Sequence, residues 1–115
     1  GSINAVISYI VPEDVEYQYN ELTVGPGLTL PILSLSGTKI KVLSVSVAGT
    51  NMATYEVLKN GVNTVSKMYT SLTNFNAEFN LNGIIFDVTD SISVEVYNSR
   101  STNGVFNATI KYVAV

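Results

Sequence analysis

The stretch KIKVLSVSV at residues 39–47 carries the clearest strand signal in this 115-residue chain. Ile40 and Val42 alternate with lysines, and from Val45 onward valines alternate with serines, so one face is apolar and the other is polar. The alternation changes phase at Leu43. Because a slip of one residue turns side chains to the opposite face of a sheet, we expect a bulge or a change of sheet at Leu43.

The stretch after this strand contains the dipeptide Asn60-Gly61 between two strand-like runs, residues 52–58 and 64–70. Asn and Gly both tolerate the positive φ angles of a type I′ turn, so this pair predicts a β-hairpin. Asn82-Gly83 has the same chemistry. We therefore expect another turn there, which would separate the runs 75–81 and 84–88.

The stretch before residue 39 contains Pro31 within the apolar run 28–35. Proline has no N–H to donate to a neighbouring strand, so this run is expected at a sheet edge or at a bulge. Other runs with period-two patterning complete the set, and no segment shows a helical period. The strand-like runs, of which the shortest are marginal, are residues 3–11, 15–19, 28–35, 39–47, 52–58, 64–70, 75–81, 84–88, 91–97 and 105–115.

This pattern predicts an all-β fold, an antiparallel β-sandwich or jelly roll of about eight strands. The chain shows no linker and no repeat, so residues 3–115 are expected to form a single domain. The opening Gly1-Ser2 is typical of the scar that a cleaved expression tag leaves behind.

The composition excludes several kinds of chemistry. There is no cysteine and no histidine, so disulfides, Cys or His metal sites and His-centred acid–base catalysis are impossible. Serines and threonines are present without a histidine base to activate them. We expect a protein that is not an enzyme and holds no cofactor or metal.

The charge balance argues against nucleic acid as a partner. Six basic and nine acidic residues give a net charge of −3, which leaves no basic footprint for phosphates. No apolar run is long enough to span a bilayer, so no membrane insertion is expected.

Acidic residues offer two alternatives to a purely structural role. Glu56, Glu78 and Glu95 alternate with predicted core residues, and we interpret them as outward-facing charges rather than as a glycosidase pair. Asp87 and Asp90, with Asn82 and Asn98, have the oxygen ligands that calcium prefers. The better reading is that Asp90 precedes a strand and hydrogen-bonds backbone amides in a turn.

Tyrosines are the most plausible recognition groups, because their rings can stack on sugars or anchor a protein partner. The candidates are Tyr17, Tyr19, Tyr55, Tyr69 and Tyr97. Half-buried packing in the sandwich is the alternative role for each. Together with polar residues of the loop after residue 97, the predicted recognition surface comprises Tyr17, Tyr19, Tyr69, Asn98, Arg100 and Asn103.

The segments GTKIKVLSVSVAGTNMATYEVLKNG (37–61) and DVTDSISVEVYNSRSTNGVFNATIKYVAV (87–115) resemble two families. One comprises the small β-sandwich accessory domains of tailed-phage virions, which decorate capsids or form head fibres and tail tips. The other comprises bacterial domains similar to the C1q/TNF jelly roll. The resemblance implies a non-enzymatic role, often in trimers or larger assemblies.

The expected function is therefore that of a structural, decoration or attachment domain on a virion surface. Its partners would be other virion proteins or further copies of itself in a homo-oligomer such as a trimer, with a cell-surface glycan as a further ligand. The alternatives are a carbohydrate-binding module and a secreted, extracellular C1q-like or adhesin domain.

Overall fold

The computed structural model describes residues 14–115, which form eight antiparallel β-strands joined by turns and short loops. The predicted strand at residues 3–11 lies outside the described residues. No helix in the described part of the chain is long and apolar enough to cross a membrane. The strands are β1 (Val15–Val24), β2 (Thr29–Ser36), β3 (Ile40–Gly49), β4 (Ala53–Lys59), β5 (Asn63–Thr70), β6 (Phe75–Phe86), β7 (Ser91–Asn98) and β8 (Gly104–Ala114).

The strands form two four-stranded sheets, in the orders β1-β8-β3-β6 and β2-β7-β4-β5. We call them the first and the second sheet. β1 pairs with β8, β2 with β7, β3 with β6 and β4 with β5. This nesting is what results when one long antiparallel hairpin, with its tip between β4 and β5, is rolled onto itself. It is the connectivity of a jelly roll, so the predicted fold class is confirmed.

The tip of the rolled hairpin is the predicted Asn60-Gly61 turn. Asn60 has φ 57° and Gly61 has φ 73°, and Lys59 pairs with Asn63 across the loop. The hairpin prediction is confirmed, because the two residues supply the positive φ angles that the reversal requires.

The predicted irregularity at Leu43 is a β-bulge. Val42 pairs with Tyr112 of β8 and Ser44 pairs with Lys111, so Leu43 has no counterpart on β8. The bulge turns the later part of β3 by one residue. Valines on both sides of the phase change consequently face the core.

The predicted turn at Asn82-Gly83 is wrong. β6 runs without interruption over Phe75–Phe86, so the runs 75–81 and 84–88 belong largely to one strand. Asn82 (φ 53°) and Gly83 (φ 73°) do have turn-like backbone angles. The two residues lie opposite Leu43, where the register between β3 and β6 shifts. The chain does not reverse there, because β6 pairs with β3 both before and after them.

The predictions at Pro31 are both confirmed. β2 is an edge strand of the second sheet, and its register with β7 shifts between Pro31 and Leu33. β1 extends to Val24, five residues beyond the predicted end, because β8 pairs with it over its whole length.

The core lies between the two sheets and is built by the inward-facing residues of the alternating strands. Its largest side chains include Tyr55 and Phe106, whose rings meet edge to face with centroids 6.1 Å apart. A Cβ atom at Gly49 would collide with the Phe106 ring and the Tyr55 hydroxyl. Glycine is therefore required at residue 49 by close packing.

Candidate functional site

The outer face of the second sheet places polar and aromatic side chains side by side. Tyr97 and Glu95 lie on β7 between buried residues, and Thr54 and Glu56 do the same on β4. Alternation along a strand turns all four away from the core. The strand registers align them with residues of β2 and β5, in one row of Thr29, Tyr97, Thr54 and Tyr69 and a second row of Pro31, Glu95, Glu56 and Lys67.

We call this array the tyrosine–glutamate face, defined by Tyr69, Tyr97, Thr54, Glu56, Glu95 and Lys67. It contains a depression of about 250 Å³ that is lined by Tyr97, Glu95, Thr54, Glu56 and Lys67 of this face, together with Thr29. Tyr69, which lies opposite Thr54 on β5, is outside that lining. Tyr69 and Tyr97 are 59% and 41% exposed, and they flank the smaller Thr54. The face therefore has an exposed aromatic residue on either side of Thr54, and Tyr97 lines the depression itself.

The floor of the depression carries a mixture of charges. Glu56 and Glu95 lie directly opposite each other on β4 and β7, and Lys67 lies opposite Glu56 on β5. Glu56 also accepts a hydrogen bond from the Thr64 hydroxyl. Like charges that face each other across strands are destabilising, so the single lysine offsets the repulsion in part.

The outer face of the first sheet carries the other exposed tyrosine pair. Tyr17 and Tyr19 on β1 are 60% and 58% exposed and lie opposite Lys111 and Thr109 of β8. Depressions on this face are lined mainly by small and polar residues of β3, β6 and β8, among them Ala48, Asn76 and Asn107.

The predicted recognition surface is thus divided among separate places. Tyr17 and Tyr19 lie on one outer face of the sandwich and Tyr69 lies on the opposite one. Arg100 and Asn103 are exposed in the loop between β7 and β8. No single ligand of ordinary size can contact all of them, and whether any of them binds a ligand stays a prediction.

Asn98 does not belong to the surface, because its side chain is fully buried. Its amide nitrogen donates to the carbonyls of Val24 (2.9 Å) and Thr102 (2.8 Å). Its amide oxygen accepts from the Arg100 backbone N–H (3.1 Å) and the Asn51 side chain (3.4 Å). The predicted recognition role of Asn98 is corrected: it ties loops together at one end of the sandwich.

Tyr55 is a second correction, since this candidate recognition residue is buried in the core. Its hydroxyl finds no hydrogen-bond partner. Burial raises the pKa of Tyr55 to about 12, because the phenolate would be poorly solvated there.

Asp87 and Asp90 form a turn before β7, as expected for Asp90. The Asp87 N–H donates to an Asp90 carboxylate oxygen (3.0 Å), and the other carboxylate oxygen accepts from the Asn60 amide (2.9 Å). The Asn60 hydrogen bond, followed by the one from Asp87, lowers the pKa of Asp90. Asn98 lies at the far end of β7 and cannot join a calcium site here. Within residues 14–115, no group of three or more His, Cys, Asp or Glu side chains is placed to hold a metal ion.

Comparison with known proteins finds similar solved structures but no similar sequence. No protein-family model matches the chain, and no curated protein matches it in sequence. A chain of the cyanophage Pam1 capsid asymmetric unit matches with a TM-score of 0.60 and 16% identity, over 96% of this chain and 92% of that one. What the two chains share is the fold.

Two further structures show the same jelly-roll likeness. A chain from Bacillus endospore appendages, which form disulfide-linked pili, has a TM-score of 0.50 and 15% identity over 90% of this chain and 91% of that one. A de novo designed double-stranded β-helix has a TM-score of 0.50 and 15% identity over 81% and 97%. The predicted resemblance to virion β-sandwich domains is thereby confirmed at the level of the fold.

Sequence reasoning did not find the pairing of Glu56 with Glu95. Alternation correctly turned both glutamates outward, since their strand neighbours are buried. Their adjacency depends on β4 and β7 being neighbours in the jelly roll, although 39 positions separate the two residues. The available signal was the likeness of TYEVL (54–58) and SVEVY (93–97), in which Glu occupies the same position between core residues.

Proposed function

We propose that this chain is a structural subunit of a tailed-phage virion, exposed on the surface of the capsid or tail. The observation that carries the proposal is the match to a cyanophage capsid chain over nearly the full length of both chains. The 96% and 92% coverages mean that the two molecules are of similar size and share one complete jelly roll. An accessory subunit is the form of this role that the sequence resemblance to small virion domains favours.

The surface of the molecule supports a role in assembly. Side chains on the outer faces are mostly Ser, Thr, Asn and Tyr, which contact partners without strong charge repulsion. β1 is an edge strand, and nearly all of its residues are exposed. Such a strand offers backbone groups and side chains to a neighbouring subunit. The mechanism proposed is recognition by shape and surface, without catalysis.

Self-association is part of the proposal, and closed point-group symmetry is the usual arrangement of soluble homo-oligomers. A trimer fits both resemblances that the sequence shows. The predicted partners are other copies of this chain and the capsid or tail proteins beneath them.

Two measurements test the proposal. Light scattering of the purified protein should give a mass of three or more chains, and gold-labelled antibody against it should label virions from the source culture in electron micrographs. A strict monomer at all accessible concentrations, together with unlabelled virions, contradicts the proposal.

A second candidate is an extracellular fibre subunit of a bacterium, favoured by the likeness to the Bacillus appendage chain. That pilus is disulfide-linked, whereas this chain has no cysteine, so any fibre would depend on noncovalent contacts. Filaments in negatively stained samples of the concentrated protein would favour this candidate over a closed oligomer. The C1q-like adhesin remains a prediction from sequence resemblance.

A further inference from the structure

The tyrosine–glutamate face has the arrangement of side chains that a sugar requires. Tyr69 and Tyr97 lie on strands separated only by β4, which puts their backbones roughly 10 Å apart at ordinary strand spacing. Thr54 lies between them and is small enough to leave the gap open. Tyr97 lines the depression, so its exposed ring can pack against a C–H face of a pyranose ring, and Tyr69 stands on the other side of Thr54.

The floor below the gap supplies both kinds of hydrogen-bonding partner. Glu56 and Glu95 are acceptors, Lys67 is a donor, and the threonine hydroxyls at the rim are both. A sugar hydroxyl donates one hydrogen bond and accepts others, so it matches a mixed floor. The two glutamates and one lysine sum to a charge of −1, so a sugar that carries a carboxylate would be repelled and an uncharged sugar would not.

The cross-strand pair Glu56–Glu95 gives a second reason to expect a ligand. Two adjacent carboxylates raise the energy of the folded sheet, and folding alone does not favour them. A ligand that donates hydroxyls to both carboxylates would relieve part of that cost. The depression of about 250 Å³ is somewhat below the usual range for drug-sized ligands, which suits a single sugar unit.

We propose that the tyrosine–glutamate face binds one uncharged sugar unit at the end of a surface glycan. Tyr97 stacks on its ring and Tyr69 contacts its outer edge. Glu56 and Glu95 accept from its hydroxyls, and Lys67 donates to a ring or hydroxyl oxygen. The site goes beyond the proposed function and is independent of it, since a subunit could bind sugar whether or not it assembles on a virion.

A glycan array with the purified protein is the first test. Glycans that end in uncharged hexoses should bind, and those that end in uronic or sialic acids should not. The best-binding oligosaccharide is then titrated into ¹⁵N-labelled protein. We expect the largest amide shifts at Thr54, Glu56, Glu95 and Tyr97, on the second sheet.

Matched variants locate the site on one face. Tyr97→Ala should weaken binding about tenfold, which corresponds to the loss of a stacking contact of roughly 1.4 kcal/mol. Tyr97→Phe keeps the ring and should stay within about threefold of the parent. Tyr17→Ala and Tyr19→Ala remove equally exposed rings from the opposite face and should leave binding unchanged. Thermal unfolding of each variant confirms that the fold is retained.

Several outcomes would overturn the inference. These are an array with no bound glycan, binding that survives the double change Tyr69→Ala and Tyr97→Ala, and loss of binding with Tyr17→Ala alone. Preferential binding of a lysine-rich peptide would identify a cation receptor instead. Virion labelling is measured separately, so failure of the sugar site is distinguishable from failure of the proposed function.

Discussion

The side-chain amide of Asn98 donates a hydrogen bond of 2.9 Å to the backbone carbonyl of Val24, which lies 74 positions earlier in the chain. The same nitrogen donates to the carbonyl of Thr102, four positions later. One buried side chain therefore connects the end of β1, the end of β7 and the loop before β8. Buried polar groups that are fully paired in this way fix local structure.

Replacement of Asn98 by alanine should destabilise the protein by about 2–3 kcal/mol, because the carbonyl of Val24 would remain buried without its donor. The change is measured as a lower urea midpoint at unchanged slope. Asn103→Ala in the same loop is the control, since Asn103 is exposed and should cost less than about 0.5 kcal/mol. Equal costs for the two variants would contradict the assigned role.

Substitution of Gly49 by alanine should destabilise the fold by about 1–3 kcal/mol through overpacking. The added methyl group would meet the Phe106 ring and the Tyr55 hydroxyl, and both are held by the surrounding core. Gly25→Ala is the matched control, because its nearest neighbour is the flexible end of Leu28 at 3.2 Å. Chemical denaturation of both variants decides whether the cost arises from packing or from loss of glycine as such.

The buried Tyr55 hydroxyl should make stability depend on alkaline pH. The pKa of Tyr55 is raised in the folded state to about 12, from an ordinary value of 10.0. The contribution of Tyr55 to the free energy of unfolding is therefore fully present below about pH 10. It is lost as the pH rises from about 10 through the folded-state pKa of about 12.

Tyr55→Phe should remove the Tyr55 part of this alkaline dependence and leave stability near neutral pH equal or slightly higher, since the hydroxyl has no partner to lose. Unfolding curves of the two proteins from pH 8 to 11 provide the comparison. A large loss of stability in Tyr55→Phe at pH 7 would show that the hydroxyl does have a partner.

The tip of the rolled hairpin should depend on the Asn60 side chain as well as on its backbone angle. Asn60 donates to Asp90 (2.9 Å) and accepts from the Ser91 N–H (2.8 Å), so it links the turn after β4 to the start of β7. Asn60→Gly keeps the positive φ and removes these bonds, with an expected cost of about 0.5–1 kcal/mol. Asn60→Ala should cost about 1 kcal/mol more, because alanine is strained at φ 57°.

Urea unfolding of both Asn60 variants separates the two contributions. If glycine and alanine cost the same, the backbone angle contributes nothing measurable at this turn. If glycine costs nothing, the link between the turn and β7 is energetically neutral.

The irregular positions show how far local sequence reasoning reaches. The change of phase at Leu43 and the proline at residue 31 each predicted a bulge, because both are properties of a single strand. Asn82-Gly83 has the same turn chemistry as Asn60-Gly61, yet only the latter reverses the chain. The difference arises from β3, which pairs with β6 on both sides of residues 82 and 83.

The same limit applies to the candidate site. Alternation placed Glu56 and Glu95 on outer faces, since the period of a strand depends only on its own residues. Side-chain chemistry suggested Asn98 and Tyr55 as recognition residues, and both are buried. Burial at the end of a strand depends on which loops cover it, and the residues next to it in the sequence do not reveal which loops those are.

The sequence by itself determined the all-β class, most strand positions, the hairpin at Asn60-Gly61 and the absence of cysteine and histidine chemistry. These follow from side-chain type, period and backbone preference, which act over a few residues. Only the tertiary structure decided that β4 lies beside β7 and that β1 lies beside β8. Those pairings bring together residues far apart in the chain, because the long hairpin rolls up to bury its apolar residues. The pairing of β4 with β7 creates the Glu56–Glu95 pair, and the division into two sheets separates the exposed tyrosines.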